Sequence, residues 1–255
     1  MSRIGLLRPQ FFVWLLNYIG VPATFLYFIS MCVVPWFYGD WEYVHQVWLD
    51  WQTLNTGVLA FISSITAFNI ASFTAEIQRA REFVAARALL PQKLDSLLRY
   101  VDSSAEVLQQ ANFYQKARQA REQISPPELN TSDLTTIQEC IRYATPEVAK
   151  YLANILNQLQ VHSSRLDWVC RRNDNNQRFY NTLYYELAVL RNNITNLFPL
   201  ARGEDDKINT ACNKGAIDFA LHILNIRYEF VDGLEDYVSE RLGKISHNKA
   251  FKSDS

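Results

Sequence analysis

"DWQTLNTGVLAFISSITAFNIASFTAEIQRAR", residues 50–81, decides the fold. From Trp51 to Ala75 it carries no charged side chain. Twenty-five such residues, read as a helix, cross a hydrocarbon layer of roughly 30 Å with some tilt. The same stretch is rich in Ser, Thr and Asn, which a lipid-facing helix has no need of. A core helix of a soluble domain is the competing account, and the sequence upstream argues against it. "FFVWLLNYIGVPATFLYFISMCVVPWF", residues 11–37, is a second uncharged run. As a helix it measures about 40 Å, too long for a signal peptide, and no small-residue cleavage site follows. The spans are therefore placed at about 11–37 and 51–75. Pro22 removes one helical hydrogen bond and frees the carbonyl near Tyr18, so a kink is expected there.

Flanking charge orients the pair. Arg3 and Arg8 precede the first span, and Arg79, Arg81, Arg87 and Lys93 follow the second. The connection 38–50 has Asp40, Glu42 and Asp50 but no Lys or Arg. The positive-inside rule puts both termini in the cytoplasm and the 38–50 loop outside, in the periplasm if the membrane is a bacterial inner one. Trp36, Trp41, Trp48 and Trp51 gather at that outer end as interfacial anchors. In the second span Thr56, Ala60, Ser64, Ala67 and Ala71 recur at helical spacing, a small-residue stripe suited to close helix packing. Packing on the first span is its simplest use; self-association or a pore lining is the sharper one. Asn69 needs a partner across a helix interface, and Asn17 is the candidate.

Beyond Glu76 the apolar residues keep a 3–4 spacing almost throughout. Leu94, Leu97, Val101, Ala105 and Leu108 mark one face, and Ile155, Leu159, Leu166 and Val169 another. Phe179, Leu183, Leu187, Leu190, Ile194 and Leu197 mark a third. Pro126-Pro127 lies in a loop, with Ser132 or Asp133 capping the next helix. Thr145-Pro146-Glu147 opens another, and a last long helix is expected over about 206–242. Single apolar stripes of this kind pack into bundles or coiled coils. The expected architecture is all-α: an N-terminal transmembrane hairpin (1–78), an antiparallel cytoplasmic bundle of about five helices (79–245) and an irregular tail (246–255).

Chemistry is scarce. Lys plus Arg is 25 against 26 for Asp plus Glu, so nothing predicts a nucleic-acid partner. The four cysteines lack CxxC spacing, and no phosphate loop, dinucleotide fingerprint, zinc-protease or nucleophile-elbow motif occurs. No cofactor, metal or small-molecule substrate is predicted. Neither span carries a charge, which disfavours a proton relay. His45 falls in the outer loop. His162, on the seam between Leu159 and Leu166, reads as a hydrogen-bonded core histidine. His222 follows Asp218 by four residues, as in a helical ion pair.

Three resemblances add context. "RLGKISH" has Arg241 and His247 at a spacing that resembles the active motif of HEPN ribonucleases. That likeness implies an acid-base histidine and a phosphoryl-stabilising arginine, although Gly243 and Ser246 suggest that the helix has already ended. "DWQTLNTGVLA", "ARALLPQKLDSLLRY" and "PEVAKYLANILNQLQVHSSRL", within about 49–170, resemble a group of uncharacterised bacterial two-span membrane proteins. That group has no established activity to carry over. The C-terminal "NKAFKSDS" resembles tails of proteins encoded in integron cassettes, which implies an accessory role in stress or phage defence. The functions carried forward, in order, are a non-enzymatic membrane-anchored sensor, scaffold or partner-binding module, an oligomeric pore or membrane-disrupting effector, and a membrane-tethered ribonuclease. The expected partners are the lipid bilayer and a second copy or another membrane protein.

Overall fold

The computed structural model describes residues 9–117, 124–171 and 176–253. Helix accounts for 84% of the chain, with no strand among the described residues, which places the protein in the all-α class. The chain divides into two compact units, Met1–Arg79 and Ala80–Ser255.

The first unit contains α1 (Pro9–Phe28), a π-helical turn (Ile29–Val33), α2 (Val34–Tyr38), α3 (Trp41–Asp50) and most of α4 (Gln52–Ala88). Two helices are long and apolar enough to cross a membrane, Asn17–Tyr38 and Gln52–Ala88. Pro22 lies inside α1, whose helical assignment runs unbroken from Pro9 to Phe28. The irregularity comes later, where Pro35 has no N–H to give. Val34 N–H bonds to the Ile29 carbonyl five residues back, the mark of a π turn. The Met31 carbonyl, which Pro35 leaves unpaired, accepts instead from the indole Nε1 of Trp48 at 3.1 Å.

The 38–50 connection is not a plain loop, because α3 fills most of it. It starts after Gly39, whose extended backbone lies so close to the next turn that a Cβ there would sit 2.7 Å from that of Tyr43. Val44 is its buried face.

The second unit holds α5 (Leu90–Ala117), α6 (Thr131–Tyr143), α7 (Pro146–Arg171), α8 (Gln177–Thr195), α9 (Phe198–Arg202), α10 (Lys214–Ile223) and α11 (Leu234–Ser253). Helix α8 is the hub, packing against α5, α7, α10 and α11. The predicted α5 face is the buried one: Leu94, Leu97, Val101, Ala105 and Leu108 are all at most 1% exposed. On α8 the buried residues include Tyr180, Leu183, Tyr184, Leu187, Leu190 and Ile194, and Phe179 is only half-buried.

Three local expectations change. Asn130, not Ser132 or Asp133, caps α6, its Oδ1 accepting from Ser132 N at 3.0 Å. Asp133 turns inward instead, 2% exposed, bonding Lys93 Nζ at 3.0 Å and Ser96 Oγ at 2.6 Å. Removing it strips a half-buried ammonium of its partner, so Asp133→Ala is expected to cost about 2 kcal/mol in chemical unfolding.

The single last helix expected over 206–242 is broken. Asn213 caps α10, and Asn225 in the left-handed region (φ 57°) closes it, with Ile226 N–H reaching the Leu221 carbonyl at 2.9 Å. A short 3₁₀ turn (Tyr228–Phe230) follows, then Gly233 (φ 70°), and α11 begins. That helix passes Gly243 and runs to Ser253, through most of the tail expected to be irregular.

Candidate functional site

The asparagines of the two apolar helices lie on one seam. Over residues 52–75 of α4 the positions turned away from solvent are Asn55, Val58, Ile62, Ile65, Asn69 and Ser72, a 3-4-3-4-3 spacing. On α1 they are Gly20, Thr24 and Tyr27, with Met31 beyond, and Asn17 continues the same spacing. The contacts run in opposite order along the chain: Asn17 meets Asn69, Gly20 meets Ile65, and Tyr27 meets Asn55.

At one end the two carboxamides exchange hydrogen bonds. Asn69 Nδ2 donates to Asn17 Oδ1 at 3.0 Å, and Asn17 Nδ2 donates to Asn69 Oδ1 at 3.4 Å. Between the ends Gly20 allows close approach, since a Cβ there would lie 3.4 Å from Ile65 Cδ1. At the other end Asn55 is 4% exposed. Its Oδ1 accepts from the Tyr27 hydroxyl, and its Nδ2 donates to the Trp48 carbonyl at 3.1 Å. Because Trp48 also donates to Met31, one network ties α1, the π turn, α3 and α4. Sequence reasoning missed Asn55 and Tyr27. Their 28-residue separation across a connection of unknown shape hid the pairing. Asn55→Leu leaves two half-buried groups unpaired, and is expected to lower stability by about 1–2 kcal/mol in detergent unfolding.

The predicted small-residue stripe lies elsewhere. Thr56, Ala60, Ser64, Ala67 and Ala71 are all exposed, so the stripe does not pack on the first apolar helix. The apolar seam residues Val58, Ile62 and Ile65 take that role. Five of the hydroxyls on α4 are satisfied within it. Thr56, Ser63, Ser64, Thr66 and Thr74 each donate to the carbonyl four residues back, at 2.8–2.9 Å.

Of the four tryptophans predicted as interfacial anchors, Trp36, Trp41 and Trp51 are exposed, and Trp36 meets Trp41 edge-on at 6.0 Å. Trp48 departs from the pattern, being half-buried with its N–H committed.

In the second unit no catalytic constellation forms among the described side chains. Arg241 Nε donates to the Tyr237 hydroxyl at 2.8 Å, with its guanidinium 5.4 Å from that ring. The side chain of His247 lies outside the described residues. Asp218 accepts from the Tyr228 hydroxyl rather than pairing with His222. Cys140 is buried, and burial followed by Glu139 pushes its thiol up to about 11, away from nucleophilic character. No group of three or more His, Cys, Asp or Glu suited to a metal occurs among the described residues.

His162 is buried as expected but not hydrogen-bonded. It is 3% exposed, and neither ring nitrogen has a partner. Burial, then Arg165, lowers its pKa to about 4, so it stays neutral.

No protein-family model matches the chain, and neither the curated proteins nor the solved structures give a significant match to it.

Proposed function

We propose that the protein is a bilayer-anchored, non-enzymatic helical module, in which α1 through α2 and the first part of α4 form a transmembrane hairpin. The observation that carries this reading is the outward apolar surface of those helices. In the apolar windows only 11% and 0% of residues are buried. Phe25, Leu26, Ile70 and Phe73 are each more than 60% exposed. Such a surface is untenable in water, whereas at a bilayer centre each Leu, Ile, Phe or Val favours insertion by ~0.3–0.6 kcal/mol. The seam and the i−4 bonds give partners to the three asparagines and to five of the hydroxyls that insertion would otherwise strand.

The charge bias puts the chain ends and residues 80–255 in the cytoplasm, with α3 outside at the headgroups, presenting Trp41 and Tyr43. The module then senses, scaffolds or binds a partner. A cysteine-free variant carrying Gln46→Cys is expected to react with a membrane-impermeant maleimide in intact cells, and one carrying Gln110→Cys only after lysis. The reverse pattern sinks the orientation.

The exposed stripe on α4 supports a second element, self-association through Thr56, Ala60, Ser64, Ala67 and Ala71. Ala67→Cys is expected to give an oxidative dimer in membranes, and Ala67→Leu to weaken the dimer. A collapse of membrane potential on expression would instead favour the pore reading. The Asn17–Asn69 pair belongs to the hairpin, so Asn69→Leu is expected to cost ~0.6–2 kcal/mol of hairpin stability without changing dimer crosslinking.

A further inference from the structure

Along one flank of the seam between α1 and α4 runs a groove of about 400 Å³. Val21, Phe25 and Phe28 wall it on one side, and Ile62 and Ile65 on the other. Gly20 deepens it, having no Cβ to place 3.4 Å from Ile65 Cδ1. Asn17 and Asn69 stand together at one end. No residue of the small-residue stripe on α4 lines it, so the groove and the stripe are separate surfaces.

The two carboxamides at that end are only half used. Each amino group carries two donors, and the reciprocal pair takes one from each side. One N–H of Asn17 and one of Asn69 remain, on side chains that stay exposed and half-buried respectively. Their depth names the acceptor. Asn17 stands six residues inside Phe11, and Asn69 six inside Ala75. At ~1.5 Å per residue that is about 9 Å, and both apolar runs exceed the roughly 30 Å hydrocarbon layer. The pair therefore lies within about one helical turn of the layer's edge, the level of the ester carbonyls of glycerolipids. A donor left unmatched there is costly. An ester carbonyl brings an acceptor and no donor, with an acyl chain attached that suits the apolar groove. A neighbouring helix is a poorer match, because its backbone carbonyls are already bonded within it.

We propose, on the bilayer-anchored reading, that this groove binds a diacyl glycerolipid. An ester carbonyl accepts from the spare N–H groups of Asn17 and Asn69, and its acyl chain lies over Gly20 between Phe25 and Ile65. The test uses the full chain purified in detergent, with lipid retention read by native mass spectrometry. A diacyl phosphatidylcholine is compared with its diether analogue, which keeps the chains and headgroup but lacks the ester carbonyls. The parent is expected to retain the diacyl form about fivefold better, the worth of roughly one hydrogen bond. Val21 is 61% exposed at the groove's open side, so Val21→Trp fills the groove without entering the seam. It is expected to weaken retention of both lipids by about tenfold or more, with an unchanged melting curve. Asn17→Ala combined with Asn69→Ala strands neither partner, and is expected to remove the preference for the ester. Equal retention of the two lipids by the parent overturns the proposal, as does a Val21→Trp variant that retains lipid like the parent. Carbonate extraction of membranes keeps the two readings apart. Release of the chain counts against the bilayer anchor itself, whereas a carbonate-resistant chain without an ester preference loses only this site.

Discussion

Acidification from pH 6.5 to about pH 4 is expected to remove ~3 kcal/mol of stability through His162 alone. In the unfolded chain this imidazole titrates near 6.5; in the folded protein burial, then Arg165, lowers its pKa to about 4. Between these values the unfolded state binds the extra proton, so the unfolding free energy falls as pH falls. The contribution is whole above 6.5 and gone below about 4, where both states are protonated. Denaturant titrations of the full chain in detergent, at several pH values, measure the slope. His162→Leu is expected to flatten it, because the remaining carboxylates titrate in both proteins alike. An unchanged slope in the variant would falsify this account of the buried imidazole.

Tyr184→Ala is expected to cost ~3–5 kcal/mol, the range for deleting a large aromatic ring from a core. Tyr184 is fully buried on α8, facing α5, and its hydroxyl donates to the Leu108 carbonyl at 3.2 Å. That bond carries only a small part of the effect. Tyr184→Phe keeps the ring and is expected to cost about 1 kcal/mol. Equal losses in the two variants would show that the hydrogen bond, not the packing, joins α5 to α8.

Much of the architecture was legible because it rests on periodicity. The α5 face from Leu94 to Leu108, the opening of α7 at Pro146 and the two apolar helices all follow from spacing and charge. The Asn17–Asn69 contact was legible too, since an amide deep in an apolar helix demands a partner and Asn17 was the candidate at the matching depth of the other helix. What stayed hidden depended on tertiary contacts. The helix α3 was obscured by its aromatic density, which reads equally as a belt on a loop. The choice of Asn130 over its neighbours as the α6 cap turned on Asp133 being drawn inward by Lys93 and Ser96. The small-residue stripe on α4 reads most simply as packing on the first apolar helix, yet its residues are exposed. Helical spacing picks out a face without saying which face is covered, and larger side chains at Val58, Ile62 and Ile65 fill the seam.

The hydroxyls of α4 carry a consequence for evolution of the assembly. Thr56, Ser63, Ser64, Thr66 and Thr74 are each already bonded to their own helix, so that face makes no demand on whatever lies beside it: lipid, a second copy or another protein can come and go without one of these hydrogen bonds broken. The opposite face is different, because Asn55 and Asn69 hold partners whose loss strands a polar group. One side of the helix is thus married to its fold, and the other is free to change company over a few substitutions.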